Sequence, residues 1–516
     1  MKKLLSILTL SATAMAGLAA TKQNILLLIA DDYGVDSSTL YNSTNTGAQL
    51  PPTPNIAMLA SNGVVFTRAY ANPVCSPTRA CLLTGQFGFR TGVGDVIDNG
   101  PSLGTNLFSL PRMFATNSTL GYNVMQFGKW HLATGPNSPR NVGGWTNFSG
   151  SIPGALPSYT NWTKTINGTQ TPSYTNYATL DVMQDATNWI ATRGTNPWFA
   201  WVAFNAPHTP LHLPPTNLCP HYANLSGTPA DIAAHPANYF DAMVEAEDTA
   251  IGTIMSHVNL TNTHVIFLGD NGTVNEVIQP PFPNTRGKNT LYEGGIHVPL
   301  IIAGPAVAAP NRTNATPANM VDIYATILEM AGINVAATVP SNVTIDGQSL
   351  LPVLQTNNLT LPRCGYSELF GTNNPTAANA GRALANSRYK LIDFTAQADE
   401  FYDLATDPYE ATNLLATAMN ATQLANYYSL EMKLGDYQIA LSPPVITGFV
   451  KTNAQFLITV QRNLTNSYGL WRASTLAGLN WAPLTNALAA TNGTGSVTLT
   501  DTNASAPQNF YRVIAQ

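Results

Sequence analysis

The sequence predicts an α/β fold: a large mixed, mostly parallel sheet flanked by helices, then a small C-terminal antiparallel α+β subdomain and an appended β-rich module. Three observations carry that expectation. Short apolar runs without polar alternation recur at 23–30, 122–127, 198–204 and 264–269, the pattern of strands buried on both faces. Segments with helical periodicity lie between and after them, notably 239–257 and 319–330. From about Cys364 the pattern changes to short alternating stretches broken by Asn, Gly and Thr, which reads as strands and turns. The expected divisions are 1–20 as a signal peptide, 21–364 as the principal domain, 365–440 as the small subdomain and 441–516 as a β-sandwich-like module.

The first twenty residues justify the first division. Lys2 and Lys3 form a charged start, an apolar run follows from Leu4, and small residues at 14–20 offer cleavage points. That run is too short to cross a bilayer, and no later apolar span is long enough. An exported chain, periplasmic or secreted, is expected. A net charge of −5 with 10% charged residues leaves no basic footprint for a nucleic acid. With Cys75 assigned to chemistry, Cys81, Cys219 and Cys364 leave room for at most one disulfide, its pairing open.

Taken in order, the first strand ends in Asp31-Asp32. Adjacent carboxylates are costly to hold together unless a cation or donors neutralise them. Thr53 and Pro54 open a short helix, with Gly63 as its C-terminal cap. Cys75-Ser76-Pro77-Thr78-Arg79 then opens a helix running on to Leu83, with proline in its first turn. The free N–H groups there suit an anionic substrate, and Arg79, one turn on, reaches back toward residue 75.

The second strand runs into Gly128-Lys129-Trp130-His131. Residues two apart on an extended chain share a face, so Lys129 and His131 enter one site with Trp130 behind. Residues 140–196 read as a long insertion with one helix near 181–190. Its Trp145, Tyr159, Trp162 and Tyr174 offer stacking surfaces for sugar rings. The third strand ends in Asn205-Ala206-Pro207-His208-Thr209-Pro210, where flanking prolines stiffen a histidine suited to acid catalysis. His212, His221 and His235 lack that support and read as surface or substrate-side residues.

On the 239–257 helix, Met243, Ala246, Ala250 and Ile254 face inward, leaving Glu245, Glu247 and Asp248 for solvent. The fourth strand ends in Asp270-Asn271, hard oxygen donors of the kind calcium takes. Lys288 follows in Arg286–Gly295, and Asp346-Gly347-Gln348-Ser349-Leu350 comes later. A hairpin is bracketed by 388–392 and 400–404, and a helix spans 413–433. In the last module, strands fall at 456–460, 469–473, 496–500 and 510–514, with Trp471, Trp481 and Phe510 in or near their core.

Cys75-Ser76-Pro77-Thr78-Arg79 resembles the C-x-P-x-R signature of type I sulfatases, in the alkaline phosphatase superfamily. Asp31-Asp32, Gly128-Lys129-Trp130-His131, Pro207-His208-Thr209-Pro210, Asp270-Asn271 and Lys288 through Gly295 resemble further motifs of that family, in the family's order, over roughly 22–440. The resemblance implies an alkaline phosphatase-like fold and a sulfuric ester hydrolase. It implies that a formylglycine-generating or sulfatase-maturing enzyme oxidises Cys75 to formylglycine, whose hydrate is the nucleophile. One calcium ion is expected on Asp31, Asp32, Asp270, Asn271 and residue 75. Arg79 with calcium would favour the alkoxide form of one hydroxyl, Lys129 and Lys288 would neutralise charge on the sulfate oxygens, His208 would act as acid and His131 as base. Two positions depart from the family: Thr78, where Ser or Ala is usual, and His297, where arginine is common.

The export signal, the aromatic-rich insertion and the β-rich tail together point to a sulfated polysaccharide or oligosaccharide as substrate. Two other readings compete. A phosphate or phosphonate ester hydrolase of the same superfamily would more often carry a second metal cluster. A non-catalytic glycan binder on the same scaffold would have lost at least one of Cys75, Arg79, Lys129, His131, His208 and Lys288, yet all six are present.

Overall fold

Eight of the ten strands in the main sheet run in one direction. The computed structural model describes residues 22–45, 47–371, 379–437, 446–452, 455–461, 468–473, 482–484, 488–492, 496–502 and 510–515. The proposed signal segment 1–20 lies outside the described residues. In chain order the first strands are β1 (Asn24–Ala30), β2 (Gly63–Phe66), β3 (Ala69–Tyr70), β4 (Asn123–Lys129), β5 (Phe148–Ser151) and β6 (Trp162–Ile166). They continue with β7 (Thr169–Tyr174), β8 (Trp198–Ala203), β9 (Thr263–Gly269), β10 (Leu300–Ala303), β11 (Arg312–Asn314) and β12 (Ala318–Asn319). The sheet order is β11-β2-β10-β9-β1-β8-β4-β5-β6-β7. Within it β9, β1, β8, β4 and β5 are parallel neighbours, while β10 and β6 run against their neighbours on either side.

Strand β1 shows why an unbroken apolar run is needed at the centre. Ile25, Leu27 and Ile29 feed the core on one face, and Leu26, Leu28 and Ala30 feed the core on the other. The Cys75–Thr84, Leu110–Thr116 and Met320–Met330 helices contribute to the first core. The Pro54–Ser61, Ala178–Ala191 and Pro236–Met255 helices cover the second. The expected mixed, mostly parallel sheet flanked by helices is therefore present.

Four local expectations are corrected. Asn62, not Gly63, is the C-cap of the Pro54–Ser61 helix, and Gly63 already pairs with Ala303 in β2. The 140–196 insertion holds β5, β6 and β7, which extend the sheet, besides its helix. Its aromatic rings are structural: Trp145 packs on Phe199 and Trp201, Trp162 donates to the Asn176 carbonyl, and Tyr159 is buried. Tyr174 is covered by the Lys164 ammonium, 5.1 Å from its ring centre. Finally, Glu245, Glu247 and Asp248 are buried, because other segments cover the helix face that periodicity assigns to solvent. Asp248 accepts from the Asn55 and Ile56 amides at the start of the Pro54–Ser61 helix, and Glu245 accepts from His221 Nδ1 at 2.5 Å.

The remaining histidines fall into two settings. His212 packs on Tyr159 and meets the Tyr177 hydroxyl at 3.0 Å, whereas His221 and His235 are exposed. All four cysteines are free thiols, so no disulfide forms among Cys81, Cys219 and Cys364.

Beyond Cys364, β13 (Gly365–Leu369), β14 (Gly381–Ala385), β15 (Tyr389–Phe394) and β16 (Glu400–Asp403) form an antiparallel sheet in that order. The following helix is Ala421–Leu434; it starts later than expected because Asn420 and Gln423 form the capping box. The last strands make two small antiparallel sheets. One contains β17 (Ile446–Thr452), β18 (Gln455–Gln461), β21 (Leu488–Asn492) and β22 (Ser496–Asp501). The other contains β19 (Tyr468–Ala473), β20 (Ala482–Pro483) and β23 (Phe510–Ala515). Ile458, Leu470 and Leu499 form their buried core. Trp481 and the side chains of Trp471 and Phe510 lie outside the described residues.

Candidate active site

Strands β9, β1, β8 and β4 are adjacent and parallel, so their C-terminal ends meet at one edge. That edge is where open α/β sheets bind ligands. It brings together Asp270-Asn271, Asp31-Asp32, the 205–210 loop and Lys129, with Cys75 entering from the Cys75–Thr84 helix. All ten residues of that helix are buried. Its far end is closed by Gly85 in the left-handed region (φ 68°), where a Cβ would strike the Tyr324 ring at 2.4 Å. The amides of Asp346 and Gly347 donate to the Gly85 carbonyl, which gives the Asp346-Gly347 pair a structural role.

Cys75 lies at the floor, 1% exposed, with Lys129 Nζ 3.4 Å and Lys288 Nζ 3.8 Å from its sulfur. Burial pushes its thiol up to about 11 against the pull of both ammoniums, so the unmodified residue is a neutral thiol and a poor nucleophile near pH 7. Lys129 pairs with Asp31 Oδ2 at 2.5 Å, and Lys288 pairs with Asp32 Oδ1 at 2.5 Å. Burial alone would raise Asp31, but Lys129, with His208, Arg79 and Lys288 behind it, holds its carboxyl well below the usual range. Burial likewise opposes the charge on Lys288, and Asp32 outweighs it, so the ammonium is held firmly. Arg79 anchors the other side through Asp270 and the Lys129 carbonyl.

The histidines are placed differently. His208 Nδ1 donates to the Thr209 carbonyl at 2.8 Å, leaving Nε2 3.8 Å from Asp32 Oδ2. His131 lies past the end of β4 with φ 51°, so a left-handed turn, not strand alternation, sets its direction. Burial, then Lys129 and Arg79, hold it well below its ordinary value. Trp130 packs behind in the core. His297, the departing position, stacks on Tyr70 and pairs with Glu293 at 3.1 Å.

Lys288 owes its place to a fastened loop. The Lys288 amide donates to the Thr273 carbonyl at 2.8 Å, and the Asn289 amide donates to the Pro73 carbonyl at 2.9 Å. Arg286 Nη1 donates to the Glu410 carbonyl. Glu293 pairs with buried Lys390 at 3.0 Å, and Lys390 also pairs with Glu410 at 2.7 Å. These contacts from β15 and the 407–410 turn carry no motif that sequence reading could single out.

The donor set fits a hard divalent cation. Asp31 Oδ1, Asp32 Oδ2 and Asn271 Oδ1 are buried and accept no hydrogen bond, which is costly unless a cation completes them. Ligand atoms of Asp31, Asp32, Cys75 and His208 lie within 4.8 Å of one another. His208 joins this cluster although sequence reading did not place it there. Asp270 is occupied: Oδ2 by Arg79, and Oδ1 by the Asp32 amide at 3.2 Å. Counting Asp31, Asp32 and Asp270 against Arg79, Lys129 and Lys288, the side chains balance. An added divalent cation would make the site net positive, which suits an anionic ester.

Comparison with known proteins shows the family of the chain. The family model described as Sulfatase matches residues 23–333, and one described as N-sulphoglucosamine sulphohydrolase, C-terminal, matches 286–437. A sulfatase of Formosa agariphila is 28% identical, covering 85% of this chain and 92% of that protein. The N-acetylgalactosamine-6-sulfatase of Rattus norvegicus is 28% identical, covering 68% of this chain and 69% of that protein. Among solved structures, Ps i-CgsB in complex with k-i-k-neocarrahexaose superposes with TM-score 0.67 at 22% identity, covering 81% of this chain and 92% of that chain. BT4656 in complex with D-glucosamine-2-N,6-O-disulfate gives 0.65 at 20% identity, covering 80% and 97%.

Proposed function

The chain belongs to the sulfatase family and is a sulfuric ester hydrolase, and from that premise we propose an exported, calcium- and formylglycine-dependent enzyme acting on a sulfated polysaccharide or oligosaccharide. The observation that carries this reading is the setting of Cys75: buried at a helix start, with two ammonium groups within 3.8 Å of its sulfur. Two neighbours in the fold were solved with sulfated or carrageenan-type sugars, which supports a glycan substrate. Among the described residues one metal-type cluster is present, which favours a sulfate over a phosphate ester. Lys2, Lys3 and the apolar run after them support export. No helix among the described residues is long and apolar enough to cross a membrane. We read 21–364 as the catalytic domain, 365–440 as its C-terminal subdomain and 441–516 as an appended module.

A formylglycine at position 75 would, as its hydrate, supply a hydroxyl as nucleophile and a second hydroxyl whose proton must be taken up by a base. Asp31, Asp32, Asp270, Asn271 and residue 75 would hold calcium, which would supply positive charge at the reacting oxygens. Lys129 and Lys288 bracket residue 75 and bind the sulfate oxygens, an electrostatic role. Arg79 keeps Asp270 and the Lys129 carbonyl in fixed relation. His208 gives a proton from Nε2 to the departing alcohol. Burial holds this histidine below its ordinary value, and an arriving anion favours its protonated form. His131 takes the proton from the second hydroxyl.

The test is free sulfate release from a panel of sulfated glycans and a small aryl sulfate, after coexpression with a formylglycine-generating enzyme. The mass of the Cys75 peptide is read alongside. Release that disappears in Cys75→Ala, with a peptide mass matching the aldehyde, is expected. Equal release from Cys75→Ala would overturn the nucleophile assignment.

A further inference from the structure

His131 is gripped on nearly every side. Its amide donates to the Ile152 carbonyl at 3.1 Å, and its own carbonyl accepts Ser76 Oγ at 2.9 Å. A Cβ at Gly154 would lie 2.3 Å from the ring, so bare backbone packs against the imidazole. The two ring nitrogens then differ. Nδ1 is buried without a hydrogen-bond partner, whereas Nε2 lies 3.4 Å from Asp98 Oδ2.

The Asp98 turn hangs from the same hydroxyl that holds His131. The Ile97 amide donates to Ser76 Oγ at 3.3 Å, and the Asn99 and Gly100 amides close on the Val96 carbonyl at 2.9 and 3.0 Å. Ser76 thereby fixes both partners next to Cys75. The Asp98 side chain is 72% exposed, at the rim of a site whose other charged side chains balance. A carboxylate there repels a sulfate group and so does not serve to bind the ester.

We propose that Asp98 is a positioning residue. It accepts Nε2–H of His131, and this leaves Nδ1 as the bare nitrogen that takes the proton during turnover. The proposal rests on the reading of His131 as base. One O–H bond breaks and one Nδ1–H bond forms. The resulting imidazolium is stabilised by the Asp98 carboxylate, and its proton passes to solvent water before the next cycle.

Ring-15N histidine labelling tests the tautomer without any turnover, with His131→Gln assigning the signal. Wild-type His131 is expected to be protonated at Nε2 and bare at Nδ1. Asp98→Ala should give mixed tautomers, and Asp98→Asn, whose amide oxygen still accepts, should restore the single form. In turnover, Asp98→Ala should lower kcat roughly tenfold or more with KM little changed, on aryl sulfate and glycan alike, and Asp98→Asn should recover most of it. An unaltered His131 signal in Asp98→Ala overturns the proposal. So does a loss confined to glycan substrates, which would mean that Asp98 reads sugar hydroxyls. If the wild-type protein releases no sulfate at all, the functional reading fails while the nitrogen signals still decide the role of Asp98.

Discussion

Arg79 reaches a single oxygen of Asp270 from two nitrogens, Nε at 2.9 Å and Nη2 at 2.7 Å, while its third, Nη1, donates to the Lys129 carbonyl at 3.1 Å. Both side chains of the ion pair are fully buried. Removing one member of such a pair strands the other charge and costs about 3–5 kcal/mol. Arg79→Ala should therefore lose that much in urea unfolding. Arg79→Lys keeps the charge but not the planar fork, and should lower sulfate release about 100-fold. Near-wild-type turnover in the lysine variant would show that the fork does not matter.

Calcium should stabilise the folded chain in proportion to its occupancy. With free calcium at 100 times its Kd, the gain is about 2.7 kcal/mol, seen as a higher Tm that a chelator reverses. Asn271→Ala and Asp32→Asn remove orphaned buried oxygens and should shrink that shift. An equal calcium response in all three proteins would place the ion elsewhere.

On the proposed calcium site Lys288 would compete with the cation for Asp32, since its ammonium lies 2.5 Å from Oδ1. Lys288→Ala should bind calcium more tightly, by thermal titration, yet lose about 100-fold in kcat/KM because a sulfate-binding charge is gone. Weaker calcium binding in this variant would contradict the competition.

A carboxyl away from the site sets a pH dependence. Burial pushes Asp241 up to about 8, against weaker downward pulls from Tyr222 and Gln49. In the unfolded chain this group ionises near 3.8. Between these values the folded state holds a proton that the unfolded state has lost, so stability falls as pH rises, by up to about 1.4 kcal/mol per pH unit. The contribution is fully favourable only below about 4. Asp241→Asn should flatten the curve of unfolding free energy between pH 4 and 8. Parallel curves for variant and wild type would refute the shift.

The strand ends were legible because each joins an unbroken apolar run to a polar cluster, as at Asp31-Asp32 and Asp270-Asn271. Periodicity could not reveal that both faces of the Pro236–Met255 helix are covered, so Glu245, Glu247 and Asp248 read as solvated when all three are buried, Glu245 and Asp248 as acceptors. Trp145 and Tyr159 read as ligand surfaces because a loop-like composition hides the packing that buries them, Trp145 against Phe199 and Trp201 and Tyr159 against Tyr177 and His212. Asp98 carried no signal at all. Its approach to His131 depends on a turn pinned by Ser76, and no spacing rule links residues 33 positions apart.

The loop bearing Lys288 is tied by groups synthesised long after it. The Lys390 ammonium that binds Glu293 lies 97 positions downstream, and the Glu410 carboxylate that accepts the Glu293 amide lies 117 downstream. A chain emerging N-terminus first can pair β1, β8 and β9 and place Lys129 beside Cys75 while this wall of the pocket is still unfastened. The Glu293 end of the loop that bears the second lysine is clasped only when residue 410 has left the ribosome. A fragment ending before residue 390 would carry all six proposed catalytic residues and still lack the clasp that holds the last of them in place.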